Sequence, residues 1–336
     1  MVSPAAMRRF YLLLVALLAT FAALRAEPTT PAAPPTLAAA RELFTARRDA
    51  EAQSAFEQLL AANPANHEAI YHLGRLAKRR GEWKAVTDYY ERCTQLAPTN
   101  ALYWADLGEA YGKLAARAGI FQQLSLARKC RTALEKAVDL APDDFEYRHG
   151  LIEFYEKAPA LVGGGHDKAL AQAAAIAQRD PFAGALLTGN LQAHAKNWPE
   201  AETAFCAAAT LQPEATEPLA CLGVVYAEQS RYADAFAQFD KLLARHPDDS
   251  AALFQLGRYA AISGQRLADG SATLRRYLAQ PNRAVTLPPP QHAYYRLGQI
   301  LARQGDPAAA RTAFETALQL DPKFKDAAAE LGKLPP

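Results

Sequence analysis

Three groups of residues in this sequence are of types that chemistry uses, and their spacing decides what they can do. Gly163, Gly164 and Gly165 form a run of the kind that can cradle phosphate through backbone N–H groups. A Walker-type loop ends in a lysine followed by serine or threonine, which reach the phosphates and the magnesium. Here His166, Asp167, Lys168 and Ala169 follow. The hydroxyl is missing and no strand precedes, so the run reads as a long turn between helices. Glu153 and Glu156, with Asp143, Asp144 and Glu146 close by, resemble paired carboxylates for acid–base work. No neighbour in the pattern is placed to shift one of their pKa values, and a solvated, charge-rich helix accounts for them. His67 and His72 are five residues apart, which turns them off a common helix face, and no HExxH occurs. Neither a Gly-x-Ser-x-Gly elbow nor a CxxCH haem site is present. The sequence therefore predicts no catalytic residue, no metal and no cofactor.

Behind these residues stands a chain whose composition favours helices. Half of its 336 residues are hydrophobic, and alanine dominates that half while β-branched residues are sparse. Helices packed closely through small side chains suit such a composition, and sheets do not. The formal charge of +2 includes Arg8, Arg9 and Arg25, with no carboxylate before Glu27. Without residues 1–26 the chain carries 34 basic against 35 acidic side chains, a balance of −1. A nucleic-acid binder would be basic, so nucleic acid is not an expected partner.

The N-terminus reads as a signal peptide over residues 1–26. Arg8 and Arg9 precede an uncharged run of 15 residues, Phe10 to Leu24. That length suits a signal core and falls short of the roughly 20 residues of a membrane span. Ala26 suits the last position before cleavage, although Leu24 stands where a smaller residue is preferred, and an uncleaved anchor is the alternative. Residues 27–36 hold four prolines and read as an extended linker. Export is thus expected, to the periplasm or the medium if the source is bacterial.

From residue 37 onward the sequence repeats itself. Prolines close apolar helical stretches at Pro64, Pro98, Pro142, Pro181, Pro213, Pro247 and Pro322, and the intervals Pro64–Pro98 and Pro213–Pro247 are both 34 residues. Other residues keep step: Leu73-Gly74, Gly81 and Tyr90; Leu222-Gly223, Tyr226, Ala235 and Phe239; Leu297-Gly298, Gly305, Ala310 and Phe314. The apolar positions of each unit form two runs at helical spacing with a turn between them. Glycine after leucine costs about 1 kcal/mol of helix propensity, which close approach of the paired helix can offset. Ala235 and Ala310 are small for that reason, and Phe239 and Phe314 are expected to fill the space between units. Eight units follow, near 37–66, 67–98, 101–142, 145–181, 182–213, 216–247, 250–281 and 291–322, with a capping helix over 325–334. The third is ten residues too long and the fourth five, with the excess near 112–127 and 158–165. In the seventh the second helix is slipped by about one residue.

In period and pattern the array resembles the tetratricopeptide repeat over nearly all of residues 37–334. The stretches around Cys130 and Gly163–Gly165 also look like a subgroup of exported bacterial repeat proteins. The resemblance implies an all-α fold, an α-solenoid wound as a right-handed superhelix, with the first helix of each unit lining a concave face. It places repeat positions 2, 5, 9 and 12 in that groove. These are Glu68, Tyr71, Arg75 and Lys78 in the second unit, followed by Arg79 and Arg80. In the fourth they are Glu146, His149, Glu153 and Glu156, and in the eighth His292, Tyr295 and Gln299. The carboxylate clamp of chaperone-binding relatives needs lysines and asparagines there, which Tyr71 with Arg75, then Ala105 with Glu109, do not supply.

The four cysteines fall in two classes. Cys93 and Cys130 sit at inward packing positions, where a thiol acts as a small hydrophobe. Cys206 and Cys221 lie seven before and eight after Pro213, on antiparallel neighbours. A disulfide needs Cα atoms roughly 4.4–6.8 Å apart, whereas packed helix axes are roughly 8–10 Å apart, so a bond and two thiols both stay open.

The function expected is a non-catalytic protein–protein interaction scaffold of the cell envelope, holding a peptide or partner helix. The alternative is a cell-wall or carbohydrate-associated factor, or a subunit regulating an envelope enzyme. Trp83, Trp104 and Trp198 argue against sugar stacking, because they occupy positions that pack between helices. The run Arg75 to Arg80 against Glu146, Glu153 and Glu156 further predicts a groove divided by charge.

Overall fold

The computed structural model describes residues 35–281 and 287–335; the expected signal and most of the expected linker lie outside them. All regular structure among these residues is helical, with no strand. The helices are α1 (Leu37–Thr45), α2 (Asp49–Ala62), α3 (His67–Arg80), α4 (Trp83–Leu96), α5 (Ala101–Ala115), α6 (Ile120–Leu140), α7 (Phe145–Lys157) and α8 (His166–Ala177). They continue as α9 (Pro181–His194), α10 (Trp198–Leu211), α11 (Glu217–Glu228), α12 (Tyr232–Arg245), α13 (Ser250–Ser263) and α14 (Leu267–Ala279). α15 (Pro290–Arg303), α16 (Pro307–Leu320) and the short α17 (Lys325–Leu331) complete the set. Within α1–α5 and again within α6–α17 consecutive helices pack on one another, which makes the fold an all-α helical-repeat solenoid.

Short polar side chains start the first helices. Asn66, Asn100, Asp144, Asp180 and Asp249 each accept a hydrogen bond from a backbone N–H two or three residues on. Each such cap contributes about 1 kcal/mol. The prolines mark the preceding stop: at Pro64 and Pro98 the residue before is Asn63 or Ala97, held near ψ 95° and 71° and outside the helical region. Pro181 differs from the sequence expectation. It opens α9 instead of closing α8, because the first helical position has no N–H bond to lose.

The Leu-Gly pair has a direct steric reason. A Cβ on Gly74 would lie 2.5 Å from the Tyr90 ring, on Gly189 2.5 Å from Phe205, on Gly223 2.6 Å from Phe239 and on Gly298 2.6 Å from Phe314. The large residue of the second helix thus sits on the glycine of its own unit. This corrects the expectation that Phe239 and Phe314 mainly fill the space between units. Phe239 does reach the next unit as well, stacking on Tyr259 with centroids 6.1 Å apart. In the seventh unit the partner of Gly257 is Leu274, 2.3 Å from the added Cβ. That partner stands one residue later than in the other units, which is the slip read from the sequence.

The chain forms two compact units, one ending at Arg117 and one beginning at Ala118. The boundary falls inside the third repeat, so α5 belongs to the first unit and α6 to the second. The extra length of that repeat is a 21-residue α6. In the first unit Phe44, Phe56, Leu73 and Leu76 form a core with Ala40, Ala52 and Ala69. In the second, a continuous core runs from Ala201 and Phe205 through Phe236, Phe239, Leu253 and Tyr277 to Phe314. Leu331 and Leu334, on and after α17, pack against this core; the helix ends at Leu331, short of the expected 334.

Candidate functional site

The residues of the first helices are the candidates, and each compact unit presents its own set. In the first unit, α3 and α5 are joined across their shared face by side chains. The Tyr71 hydroxyl donates to Asp106 Oδ2 at 2.6 Å, and Lys78 Nζ reaches Glu109 Oε2 at 2.6 Å. Burial pushes the Asp106 carboxyl up, against the hydrogen bond from Tyr71 and the charges of Lys78 and Arg75. Burial, reinforced by the Asp106 charge, raises the Tyr71 phenol, so the hydroxyl keeps the proton it donates. The Arg75 guanidinium lies over the Phe44 ring at 4.7 Å and near Tyr71 at 5.8 Å. Glu68 faces Arg41 on α1 at 3.9 Å.

This arrangement corrects the expected basic run. Arg79 covers Phe44 at 3.7 Å and bonds Asp49 and the Phe44 carbonyl, while Arg80 pairs with Glu82 at 2.8 Å. With Lys78 on Glu109, Arg75 is the member of the run left on the face without a carboxylate within 4 Å among the described residues. Two members of the acidic set also have local partners. Glu153 pairs with Lys157 one turn on. Glu156 accepts from His166 at 2.9 Å, and His166 also meets Gln192 at 3.3 Å. Burial pulls the His166 imidazole down, but these bonds and the charges of Glu156 and Asp167 leave it raised. Glu146 and His149 are exposed. These pairings offset Lys78, Arg79, Arg80 and Glu153 locally, so neither run of like charge is continuous along its helix.

At the far end of the second unit His292 meets Phe324 edge-on and Tyr295 meets it at a tilt, with centroids 5.0 and 5.1 Å away. Gln299 donates to the Tyr295 hydroxyl and accepts from Arg296, both at 2.9 Å. Arg296, Arg258 and Asp106 lie on first helices and were missed by the sequence reading. Asp106 and Arg296 occupy repeat position 6, and Arg258 is the position-9 residue of the seventh repeat.

The glycine run is a turn. Ala160–Val162 forms a 3-10 turn, Gly163 has φ +95°, and the Gly164 and Gly165 N–H groups are spent on the carbonyls of Pro159 and Tyr155. Those donors are unavailable to a phosphate. The tryptophans offer no open platform: all three are half-buried, Trp104 Nε1 donates to the Pro98 carbonyl at 2.8 Å, and Trp198 packs on the core. Among the described residues no cluster of three metal-ligating side chains occurs and no helix is long and apolar enough to cross a membrane.

Cys206 and Cys221 hold free thiols instead of a disulfide. Cys206 is exposed, whereas the half-buried Cys221 points toward Asn190 Oδ1 at 3.9 Å, and burial lifts its thiol to about 11. Burial takes Cys93 to about 12. Since the thiolate is the reactive species, iodoacetamide at pH 7.5 should label Cys206 at least roughly tenfold faster than Cys93. Peptide mapping without reductant checks this, and a recovered Cys206–Cys221 crosslink would contradict it.

The comparisons with known proteins agree with this geometry. Tetratricopeptide repeat models match residues 37–101, 222–284 and 291–324. The chain is a tetratricopeptide repeat protein. A solved tetratricopeptide repeat protein from Parabacteroides merdae ATCC 43184 is 13% identical, with a TM-score of 0.53 over 79% of this chain and 97% of that one. The Cut9–Hcn1 hetero-tetramer of APC/C is 17% identical, with a TM-score of 0.50 over 88% of this chain and 54% of that one. No curated protein sequence is significantly similar. Tetratricopeptide repeat proteins are protein–protein interaction scaffolds and in general non-catalytic, and this one shares their fold.

Proposed function

We propose that this tetratricopeptide repeat protein is an exported, non-catalytic scaffold of the cell envelope that binds an extended peptide or a partner helix on its first-helix faces. The observation that carries the reading is the division of labour between helices. The second helices spend their large residues on the glycines behind them, while the first helices present polar and aromatic side chains such as Arg75, His149 and Tyr295 forward. A peptide laid on such a face would gain side-chain recognition from several repeats at once. The segment Arg8 to Ala26 supports export, and the locally neutralised clusters offer no charge field for nucleic acid.

Photo-crosslinking in the native envelope tests it. Probes at His149 on α7 and Asn190 on α9, both exposed on first helices, should trap a protein partner. Probes at Thr203 on α10 and Glu315 on α16, exposed on second helices, should not. Equal adducts from both sets would remove the assignment. Intact-mass measurement of the exported protein should show a chain starting at Glu27.

A further inference from the structure

The two lengthened repeats bring their extra residues to one helix of the second compact unit. α6 begins early, and its buried residues start only at Cys130. None of residues 120–129 is buried, although Ile120, Phe121, Leu124 and Leu126 are apolar. Ile120, Leu124 and Arg131 fall on one face of this helix, at spacings of four and seven. The extra residues of the fourth repeat meet that face. Arg131 Nη1 donates to the Val162 carbonyl at 3.1 Å, which ties the Ala160–Val162 turn to α6. Val162 is buried there, and Leu161 beside it is exposed.

Phe121, Ile120 and Leu161 are 88%, 69% and 67% exposed, above every other large apolar side chain among the described residues. Single exposed apolar residues are ordinary, but three on two insertions that meet form a surface that asks for a partner. Their surroundings are basic. Residues 118–134 hold Arg128, Lys129 and Arg131 and no carboxylate, and residues 158–166 hold none either. Arg131 pairs with Glu135 at 3.6 Å, whereas the exposed Arg128 has no carboxylate within 4 Å among the described residues. Arg128 follows Phe121 by seven residues, two turns on along the same face. Lys168, near the start of α8, is exposed beside the turn, where its Nζ donates to the Gly163 carbonyl at 2.9 Å. Against these cations stand the paired Glu135 and the exposed Asp167.

We propose that the first turns of α6 and the Ala160–Val162 turn form a contact surface for an anionic lipid bilayer. Phe121, Ile120 and Leu161 enter the headgroup boundary, and Arg128 and Lys168 meet the lipid phosphates. Side chains that protrude from a helix end are convex, so a folded protein partner would need a matching pocket. A fluid lipid interface takes them without one, and apolar prongs flanked by cations are what it binds. The charge selects the lipid class: each cation held near an anionic surface strengthens binding roughly fivefold. The contact is peripheral, with no spanning helix among the described residues. It lies on second helices and an interhelical turn, so it does not depend on what the first-helix face binds.

The test uses the full exported protein with vesicles of equal parts phosphatidylglycerol and phosphatidylcholine, and with phosphatidylcholine alone. In a Cys206→Ser background, an NBD fluorophore is attached at Phe121→Cys or, as the control, at Glu315→Cys on α16. With anionic vesicles the emission at position 121 should rise and shift to the blue, and at position 315 it should not change. The fluorophore reports on position 121 itself, so an N-terminal apolar segment that held the chain to vesicles would not imitate the signal. Added salt should weaken the response, because exposed charges are screened. In the chain labelled at 121, Leu161→Ser should raise the lipid concentration at half-response about threefold. Arg128→Glu should raise it at least about fivefold. Both residues are exposed, so the thermal unfolding of these variants should match that of the parent. A silent fluorophore at 121, an equal response to phosphatidylcholine alone, or unchanged affinity in Arg128→Glu would overturn the proposal. A response that grows with protein concentration in the absence of lipid would also overturn it, and would make this face a contact between two copies.

Discussion

Replacing Phe239 with alanine is expected to destabilise the second unit by about 3–5 kcal/mol, the largest loss of any single substitution considered for this protein. Phe239 is 1% exposed and lies between Gly223 of its own repeat and Tyr259 of the next. Its removal opens a cavity on both sides at once, and in a linear array the interface between repeats is lost with it. The glycine gives the more specific test. Gly223→Ala should gain about 1 kcal/mol of helix propensity yet lose about 1–3 kcal/mol through overlap with the Phe239 ring. In Gly223→Ala with Phe239→Leu, the smaller side chain makes room for the methyl group. The double variant should then be at least about 1 kcal/mol more stable than the sum of the single losses. Urea unfolding followed by circular dichroism measures all four proteins. Strict additivity would show that the glycine is not there for the ring.

The second large effect is a pH dependence confined to the first unit. His72 on α3 stacks on Phe56 with parallel rings 4.8 Å apart and meets Phe44 edge-on at 5.2 Å. It is 8% exposed, and its buried Nδ1 has no hydrogen-bond partner among the described residues. Burial, with Arg75, Arg41 and Arg79 nearby, lowers its pKa from 6.5 to about 4. The folded state therefore holds the ring neutral, and the unfolded chain takes up the proton first. Stability is complete above pH 6.5 and is lost as the pH falls from 6.5 toward 4. By pH 4.5 the loss should be on the order of 2 kcal/mol. His72→Leu keeps an apolar side chain against the two phenylalanines and removes both the titration and the unpartnered nitrogen. The difference in stability between wild type and His72→Leu, followed from pH 7 to 4.5, isolates this group from Asp106 and the other carboxylates. Parallel curves would rule the histidine out as the cause.

By itself the sequence determined the repeat, its register and its helical class. Those depend on local steric facts: a proline that ends a helix at Pro64 or Pro98, an Asn66 or Asp144 that starts the next, a glycine that admits Tyr90 or Phe239. Each recurs once per unit, so errors at one repeat are corrected by the others, and even the one-residue slip at Leu274 was legible. The candidate groove residues were legible as positions, since helix periodicity fixes which side chains share a face. Their electrostatic state was not, because ion pairing depends on neighbours far apart in sequence. Arg79 goes to Asp49 and Lys78 to Glu109, each about one repeat away, and that dissolved the charge run that looked continuous along the chain. Tertiary structure alone likewise divided the array at Arg117 and left Cys206 and Cys221 unbridged. It also set Arg258 beside Arg296, a pair 38 residues apart in sequence that only the packing of α13 on α15 brings together. Local rules repeat and can be read from the chain, whereas the balance of charge across a packed interface is decided by which helices meet.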